Sequence, residues 1–291
     1  MRSGFIGVIG KANAGKSTLV NVLVGEKVAI VSPKPQTTRD AIMGVLTKQD
    51  YQLVFVDTPG IYRAQNKLND AMMKTTETAS GDVDFILYVH DGHGGVTESD
   101  IRLMEKYASK KIPMAVAYTK IDIMPKENIL SDVKKIYDGG IDCDIFPVSA
   151  RKGTNIKKLE NYLATKMPEG DRVIGGDIVS DKSERFMLAE IMREKILLKF
   201  AQEIPHGVAV VINSFEKKGG VTDVNLDIIC EKPNHKAILI GKQGSAIKEV
   251  SSFARADMEK FLGTKVFLTT YVKVKEDWRN RPDLIKQFTD N

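Results

Sequence analysis

Eight residues near the amino terminus have the spacing of a phosphate-binding loop. Residues 10–17 read Gly-Lys-Ala-Asn-Ala-Gly-Lys-Ser, which fits the pattern G-x-x-x-x-G-K-[ST]. The glycines allow backbone amides to crowd around phosphate oxygens, and a helix that begins after the loop adds the positive end of its dipole. In this pattern Lys16 reaches the β- and γ-phosphates, and the Ser17 hydroxyl is a ligand of Mg²⁺. The residues that we predict to contact a nucleotide here are Gly10, Lys11, Ala12, Asn13, Ala14, Gly15, Lys16, Ser17 and Thr18.

A second motif, Asp57-Thr58-Pro59-Gly60, directly follows the apolar run 53–56. An aspartate at the end of such a strand can hold a water molecule bound to Mg²⁺, and the amide of Gly60 can meet the γ-phosphate. We therefore predict that Asp57, Thr58, Pro59, Gly60 and the following Ile61 line the phosphate site.

Two further motifs choose the base. Thr119-Lys120-Ile121-Asp122 ends another apolar run, and Ser149-Ala150 ends a third. A buried Asp122 carboxylate would accept from the N1–H and 2-amino group of guanine, a donor pair that adenine lacks. The stem of Lys120 would pack on the base, and a backbone amide of Ser149-Ala150 would face the guanine O6. Each motif alone fits an ordinary turn, but their order and their positions at strand ends favour a GTP site. An ATP-using RNA enzyme remains the alternative, and Asp122 argues against it.

A glycine loop in the second half of the chain has a different chemistry. Ile238-Leu239-Ile240 precedes Gly241-Lys242-Gln243-Gly244, and a helical pattern follows. A G-x-x-G loop between two helices clamps about four nucleotides of single-stranded nucleic acid. The residues predicted to bind RNA are Ile240, Gly241, Lys242, Gln243, Gly244, Ile247 and Lys248.

The charge distribution supports a polyanionic partner for the second half. Residues 232–286 contain 12 Lys or Arg and 6 Asp or Glu, whereas the remainder is nearly balanced within a net charge of +5. A basic region of this kind is typical of nucleic-acid binding, although a solvated charged face would have the same composition. The only tryptophan, Trp278, is expected to pack in the domain rather than stack on a base. Cys143 and Cys230 lack metal-ligand spacing and are expected to be free, buried thiols of a reducing compartment.

The elements that must position these motifs fall into two groups along the 291 residues. In residues 1–167 apolar runs alternate with helical stretches, which predicts an α/β domain with a doubly wound, mostly parallel sheet. Residues 168–177 contain one proline and three glycines and are predicted to be a linker. Residues 178–291 predict a smaller α+β domain with the order helix, two strands, two helices and a strand, followed by a tail. No run approaches the ~20 apolar residues of a membrane span, and the first strand leaves no room for a signal peptide.

The first half resembles the translation-factor-related class of P-loop GTPases over residues 4–167. The resemblance identifies Pro35-Gln36-Thr37-Thr38-Arg39-Asp40 as the first switch, in which one threonine ligates Mg²⁺; we favour Thr38 over Thr37. Thr119 departs from the asparagine that usually begins its motif, which puts base affinity in doubt. Ile61 stands where several GTPases have a water-orienting glutamine, so we expect slow intrinsic turnover. In related GTPases an asparagine at the position of Asn13 helps to hold K⁺ beside the phosphates.

Taken whole, the chain resembles the Era family, in which a GTPase domain precedes a type II KH domain. The resemblance implies hydrolysis of GTP to GDP and phosphate, with Lys16, Asp57, Gly60, Asn13 and Thr38 as catalytic residues. It also implies Ser17, Thr38 and, through water, Asp57 as Mg²⁺ ligands. The implied partners are GTP and GDP, 16S rRNA near its 3′ end and the small (30S) ribosomal subunit, in rRNA maturation and ribosome assembly. The protein is expected to be a cytoplasmic monomer. Because some members of the family associate with the inner face of the cell membrane, peripheral association there is also expected.

A scaffold that uses GTP only as a structural ligand is the competing class. It predicts that aspartate at Gly241 or Gly244 leaves function intact, whereas an RNA-binding switch predicts a loss. Coupling is the further hypothesis: the GTP-bound switches favour RNA access to the KH groove, and RNA then tightens GTP binding by the same factor.

Overall fold

The computed structural model describes residues 1–61, 66–79, 81–201 and 204–289. These residues form two compact units. Of the described residues, the first unit takes those within 1–31, 38–63 and 72–181, and the second takes those within 32–37, 64–71 and 182–291. The boundaries predicted from the sequence, at 167 and 178, remain predictions.

A six-stranded sheet organises the first unit. Its strands are β1 (Arg2–Ile9), β2 (Ile42–Thr47), β3 (Tyr51–Asp57), β4 (Phe85–Asp91), β5 (Met114–Thr119) and β6 (Asp144–Pro147). The helices that alternate with them along the chain are α1 (Lys16–Val24), α2 (Lys67–Ala79), α3 (Glu98–Ala108), α4 (Lys126–Asp138) and α5 (Ile156–Lys166). The strand order is β2-β3-β1-β4-β5-β6, and only the edge strand β2 runs antiparallel to its neighbour. The predicted α/β class with a mostly parallel sheet is confirmed.

Burial on both faces explains why these strands read as continuous apolar runs. Leu53, Val54 and Phe55 of β3 are fully buried although their side chains point alternately to opposite faces. Core residues from the two faces form two separate hydrophobic clusters. Because the five neighbouring strands from β3 to β6 in this order are parallel, the motifs that follow their carboxyl ends share one edge of the sheet. In register, Val8 pairs with Asp57 and Asp91 pairs with Thr119.

The second unit is built on a three-stranded sheet in the order β7-β8-β9. Its elements are α6 (Glu184–Lys199), β7 (Ala209–Lys218), β8 (Val221–Cys230), α7 (Pro233–Ile240), α8 (Ser245–Leu262), β9 (Lys265–Val274) and α9 (Pro282–Thr289). β7 and β8 form an antiparallel hairpin, and β9 lies parallel to β8. The two helices between β8 and β9 are the crossover that a parallel pair requires. Apolar residues of α6, α8 and the inner sheet face share one core.

Several element bounds differ from the sequence predictions, which in the second unit placed an apolar element at 236–240 and a hairpin turn at 217–220. α7 begins at Pro233 rather than at 236, because proline suits the first turn of a helix, where no partner is needed for its nitrogen. The hairpin turn is Gly219-Gly220 alone, since β7 continues to Lys218. The helix α9 lies in the segment that the sequence analysis described only as a tail. The predicted helix ends at Ser80 and Gln202 lie outside the described residues.

The predicted linker lies along the first unit. The amide of Ser3 donates to the Pro168 carbonyl, and that of Ile174 donates to Gln52 Oε1. Further on, the amide of Val45 in β2 donates to the Val179 carbonyl at 2.8 Å. Backbone pairing therefore fixes this segment to the sheet that it follows.

Candidate nucleotide site and RNA-binding loop

The phosphate loop has a backbone that demands its glycines. Gly10 has φ of 156°, and a Cβ there would lie 2.2 Å from the Val89 carbonyl oxygen. Gly15 adopts φ of 92° directly before α1, a left-handed conformation that favours glycine. Lys16 Nζ lies 3.1 Å from the carbonyl oxygen of Gly10 and 3.0 Å from that of Lys11, so the loop wraps around this ammonium group. The loop and the first turn of α1 thus bring together the residues from Gly10 to Thr18.

Three oxygen-bearing side chains meet beside the loop. Ser17 Oγ lies 2.6 Å from Asp57 Oδ2 and 2.8 Å from Thr38 Oγ1. The second oxygen of Asp57, Oδ1, is buried without a hydrogen-bond partner among the described residues. Carboxylate and hydroxyl oxygens are the donors that Mg²⁺ prefers, and an orphaned carboxylate oxygen suits a hydrated cation. The residues present therefore fit Mg²⁺.

The structure separates the two candidate threonines of the first switch. Thr38 faces Ser17, whereas the Thr37 hydroxyl donates to the Lys34 carbonyl at 2.6 Å and lies 2.8 Å from Ser32 Oγ. Thr37 is thus held by its own loop. This arrangement favours Thr38 as the metal ligand, as the sequence did.

Burial shifts the titration of both charged groups at this site. Desolvation lowers the pKa of Lys16 to about 8, although the Asp57 carboxylate opposes the shift. Desolvation likewise raises the pKa of Asp57 to about 6, against the effects of Lys16 and Ser17. A phosphate beside Lys16 and a cation beside Asp57 would each stabilise the charged form. The site is therefore electrostatically matched to a phosphate–metal pair.

Gly60 presses directly against the phosphate loop. A Cβ at Gly60 would lie 2.6 Å from the Ala12 Cα and 2.8 Å from its nitrogen. The next residue, Ile61, pairs with Lys11 as an isolated parallel bridge, and its amide donates to the Gly10 carbonyl at 3.0 Å. Thr58 is fully buried, and its hydroxyl donates to the carbonyl of Val8. The Asp57–Ile61 motif is consequently locked to the strand and loop on which the phosphates would rest.

Thr119 performs a structural task in place of the usual asparagine. Its hydroxyl lies 2.7 Å from the carbonyl oxygen of Ala14 and 3.0 Å from that of His90. It thereby ties the phosphate loop to the ends of β4 and β5. A single hydroxyl hydrogen cannot donate fully to both carbonyls, so the two bonds compete or share it.

The base motif differs from its prediction in exposure. Asp122 was expected to be buried, but its side chain is exposed, because it follows the end of β5 on a short 3₁₀ turn. Ser149 Oγ donates to Asp122 Oδ1 at 2.7 Å, and this bond lowers the pKa of the carboxyl. The Ser149 bond therefore holds an ionised carboxylate in one orientation without prior desolvation. Ile121 belongs to the same turn and is half-buried.

The amide expected to face the guanine O6 is narrowed to one residue. The Ser149 amide already donates to the Thr154 carbonyl at 3.1 Å, which leaves Ala150 to provide that donor. Lys120 Nζ forms an ion pair with Asp91 Oδ2 at 2.6 Å. Sequence reasoning missed Asp91, although it ends β4 as the other motifs end their strands.

Asn13 occupies a left-handed position in the phosphate loop. Its φ is 63°, and its side chain is exposed. Asparagine tolerates this conformation better than most residues. The placement leaves Asn13 at the outer surface of the loop, on the solvent side.

The second glycine loop joins α7 to α8. Gly241 and Gly244 have φ of 75° and 76°, and a Cβ at Gly241 would lie 2.8 Å from the Ala246 nitrogen. Lys242 and Gln243 between them are exposed. The loop therefore presents two polar side chains on a backbone that only glycines allow.

The apolar residues around this loop are only partly as expected. Ile240 and Ile247 are half-buried, in keeping with a groove floor. Ile238, which sequence reasoning had not selected, is 49% exposed. The apolar triplet 238–240 does not by itself indicate this exposure, which follows from the position of Ile238 on α7. Trp278 is fully buried, and its indole N–H donates to the Gly207 carbonyl at 2.9 Å, which confirms packing rather than stacking.

Within the described ranges, no group of three or more His, Cys, Asp or Glu side chains could hold a metal ion alone. Cys143 and Cys230 are free thiols, and only Cys230 is fully buried. The prediction that both thiols are buried was therefore wrong for Cys143, which is half-buried.

Comparisons with known proteins match the two halves of the chain to two families. Residues 5–120 match the family described as 50S ribosome-binding GTPase, and residues 203–279 match the KH domain family. GTPase Era of Clostridium kluyveri is 43% identical over 99% of both chains, and GTPase Era of Clostridium novyi is 42% identical over 99% of this chain and 98% of its own.

Two solved structures have the same architecture throughout. A variant of Aquifex aeolicus Era bound to GDP·AlF₄⁻ has a TM-score of 0.95 and 34% identity over 99% of both chains. Era in complex with MgGDPNP and nucleotides 1506–1542 of 16S ribosomal RNA has a TM-score of 0.95 and 35% identity, covering 99% of this chain and 98% of its own.

Proposed function

The chain belongs to the Era family of GTPases, and from that premise we propose that it is a GTP-driven switch that binds 16S rRNA near its 3′ end. Its setting is the small ribosomal subunit during rRNA maturation and assembly. The observation that carries the proposal is the meeting of Ser17, Thr38 and Asp57 oxygens beside Lys16 in a chain that also holds a KH loop. A relative of the same architecture that is solved with MgGDPNP and 16S rRNA nucleotides supports the RNA partner.

The chain's own groups perform hydrolysis by positioning and by charge. The amides of the loop and of the first turn of α1 would hold the phosphates, and Lys16 would balance the β- and γ-phosphate charge. Mg²⁺, when bound by Ser17, Thr38 and, through water, Asp57, neutralises charge that develops on the phosphates. The Gly60 amide would meet the γ-phosphate. These roles are the ones that the sequence motifs predict for the same residues.

Slow intrinsic turnover is part of the proposal. Ile61 offers no hydrogen bond to an attacking water, and its backbone is paired with the phosphate loop. Asn13, at the outer surface of the loop, would help to hold K⁺ beside the phosphates. The cation would neutralise negative charge that develops there during hydrolysis. A test is hydrolysis in K⁺ against Na⁺ at equal ionic strength. Wild-type turnover should be faster in K⁺, and Asn13→Ala should remove that difference; equal rates in both salts would reject the K⁺ site.

Guanine selectivity rests on Asp122 and Ala150. The Asp122 carboxylate would accept from the N1–H and 2-amino group, and the Ala150 amide would donate to O6. Competition against labelled GDP tests the assignment. GTP should displace the label at least 1,000-fold better than ATP, because adenine lacks the donor pair that Asp122 would accept, and sites built to hydrogen-bond a substrate group reject analogues without that group by about 10⁴–10⁵. Comparable displacement by ATP would overturn the assignment.

The KH loop would clamp the RNA backbone, with Lys242 and Lys248 as cations and Ile240 and Ile247 under the bases. Both Lys242 and Gln243 are exposed, so changing them leaves the glycine backbone and the core intact. The double variant Lys242→Asp, Gln243→Asp should lower affinity for a 16S 3′-end RNA at least tenfold, with GTP binding unchanged.

A matched control tests whether added negative charge elsewhere on the protein lowers RNA affinity. The double variant Lys158→Asp, Asn161→Asp makes the net charge more negative by the same amount, at exposed positions of α5. This control should bind the RNA within twofold of the wild type. Equal losses in the two variants, or none in the KH loop variant, would reject RNA binding at the loop. Coupling is tested with the wild type: RNA affinity should be higher with a non-hydrolysable GTP analogue than with GDP, and equal affinities would reject it.

We propose a cytoplasmic location, with contact at the inner membrane face as an additional expectation. In the part of the chain that the structure describes, every helix falls short of the length and apolar character that crossing a bilayer requires. Cell fractionation with a carbonate wash distinguishes the locations: the protein should be in the soluble fraction or be released from membranes by the wash, and resistance to the wash would contradict the proposal.

A further inference from the structure

An ion pair joins the phosphate loop to the first turn of α3. Lys11 Nζ lies 2.6 Å from Asp100 Oδ1 and donates to Ser99 Oγ at 2.9 Å. The Lys11 side chain thus reaches across to a neighbouring helix, whereas Lys16 contacts carbonyl oxygens of the loop itself. Residue 100 belongs to none of the sequence motifs of the nucleotide site.

The Asp100 carboxylate is held in place from both sides. It is only 3% exposed, and its Oδ2 accepts the Thr97 amide at 3.0 Å in a capping box with the Thr97 hydroxyl. Its Oδ1 receives Lys11. Burial alone would raise the pKa of Asp100, but Lys11 and Thr97 outweigh it and lower the pKa. An ionised carboxylate in a fixed position makes a rigid anchor for the lysine.

His90 does not supply the countercharge. Its Nδ1 lies 3.8 Å from Asp100 Oδ1, but its Nε2 is buried without a hydrogen-bond partner among the described residues. Burial lowers the pKa of His90, so the ring is neutral at physiological pH. Lys11 is therefore the cation that balances Asp100.

The backbone of Lys11 stands where three functional parts meet. Its carbonyl oxygen accepts from Lys16 Nζ at 3.0 Å and from the Ala14 amide at 3.3 Å. Lys11 also pairs with Ile61, the residue after Gly60, and the Ala12 amide lies 3.4 Å from the Ile61 carbonyl. A shift of Lys11 would consequently move Lys16 and the Gly60–Ile61 segment together.

We propose that Asp100 is a positioning residue for GTP hydrolysis, acting through Lys11 on Lys16 and on the Gly60–Ile61 segment. The proposal rests on the GTPase activity and is separate from RNA binding. The loop amides that lead into α1 lie beyond the point that Lys11 anchors and would hold GDP in either case. GDP affinity should therefore fall less than the hydrolysis rate when the ion pair is lost, although Lys16, which donates to the Lys11 carbonyl, would also meet the β-phosphate. The γ-phosphate region depends on it strongly, because misplacement by about 1 Å can cost on the order of 100-fold in rate.

The test measures single-turnover hydrolysis at saturating GTP, together with GDP affinity. Asp100→Asn should lower the hydrolysis rate about tenfold or more and change the Kd for GDP less than threefold. Lys11→Met should do the same, and Lys11→Arg should recover most of the rate. The double variant should be no slower than the worse single variant, because both changes remove one interaction. It also keeps the test informative if Lys11→Met alone, which leaves a buried carboxylate unpaired, fails to fold.

A control separates positioning from helix stability. Thr97→Ala removes the hydroxyl of the capping box of α3, but the Thr97 amide still donates to Asp100 Oδ2 and the Lys11–Asp100 pair remains. It should therefore lower the thermal midpoint while the hydrolysis rate stays within twofold. An equal rate loss in Thr97→Ala and Asp100→Asn would overturn the proposal, since helix destabilisation would then explain both. The proposal also fails if the Asp100→Asn rate stays within twofold of the wild type, if GDP affinity falls as much as the rate, or if the single losses multiply in the double variant.

Discussion

The substitution Gly60→Ala should separate the two nucleotide states. The added methyl would lie 2.6 Å from the Ala12 Cα and 2.8 Å from the Ala12 nitrogen. Both atoms are backbone atoms of the phosphate loop, so they cannot rotate aside. The alanine must therefore move the segment after Asp57 away from the loop.

The cost depends on whether Gly60 has to stay close. With GTP, its amide is needed at the γ-phosphate, so the clash opposes binding; with GDP, the segment can withdraw. Inserting a methyl into a packed site costs about 1–3 kcal/mol. Affinity for a non-hydrolysable GTP analogue should thus fall about 5- to 150-fold relative to affinity for GDP. Hydrolysis should fall at least as much, because the same contact is required in the transition state.

Titration calorimetry with GDP and with the analogue, both with Mg²⁺, measures the difference directly. Gly94→Ala is the matched control, since a Cβ at Gly94 has open space and the residue is not in a left-handed conformation. It should bind both ligands like the wild type. If Gly60→Ala weakened GDP and the analogue equally, or neither, the reasoning from the Gly60–Ala12 contact would be refuted.

Three further outcomes are expected. Burial lowers the pKa of Lys16 to about 8, and bound phosphates would raise it again, so GDP binding should take up a proton above that pH. GDP affinity should fall about fourfold from pH 7 to 8.5. Calorimetry in two buffers that shows no proton uptake would contradict this expectation. Thr119→Val removes a hydroxyl that lies 2.7 Å from the Ala14 carbonyl, so GDP affinity should fall by about 1–3 kcal/mol in a fluorescence titration, whereas unchanged affinity would mean that the tie is dispensable. Trp278→Phe leaves the Gly207 carbonyl without its indole donor and should destabilise the second unit by about 1–3 kcal/mol in urea unfolding followed by circular dichroism, with an unchanged midpoint as the opposing result.

Motifs at strand ends were predictable because their chemistry is local. The spacing of Gly10, Gly15 and Lys16 defines a loop whatever surrounds it, and continuous apolar runs identify buried parallel strands. Glycines at 241 and 244 likewise predicted a loop between two helices, which the structure has between α7 and α8.

Contacts set by distant elements were not predictable in the same way. The exposure of Asp122 follows from a short turn at the sheet edge, and the choice of Ala150 over Ser149 follows from the pairing of Ser149 with Thr154. Asp100 belongs to a helix start that the sequence shows only as a cap, and nothing local connects it with Lys11. α9 was missed because eight residues near the end of a chain carry too little pattern.

The backbone pairing of residues after 167 has a practical meaning for dissecting the protein. β2 is an edge strand, and its outer side is occupied by the chain itself: Gly44 pairs with Ser180, and the Met43 amide donates to Asp181 Oδ1 at 2.8 Å. A GTPase fragment that stops at the predicted boundary of 167 would leave these backbone groups bare, and bare edges recruit other strands. A fragment that ends after Asp181 keeps its own border. Residues 168–181 therefore protect the edge of β2 from pairing with other molecules. A preparation of the first unit alone should stay monodisperse when it retains them.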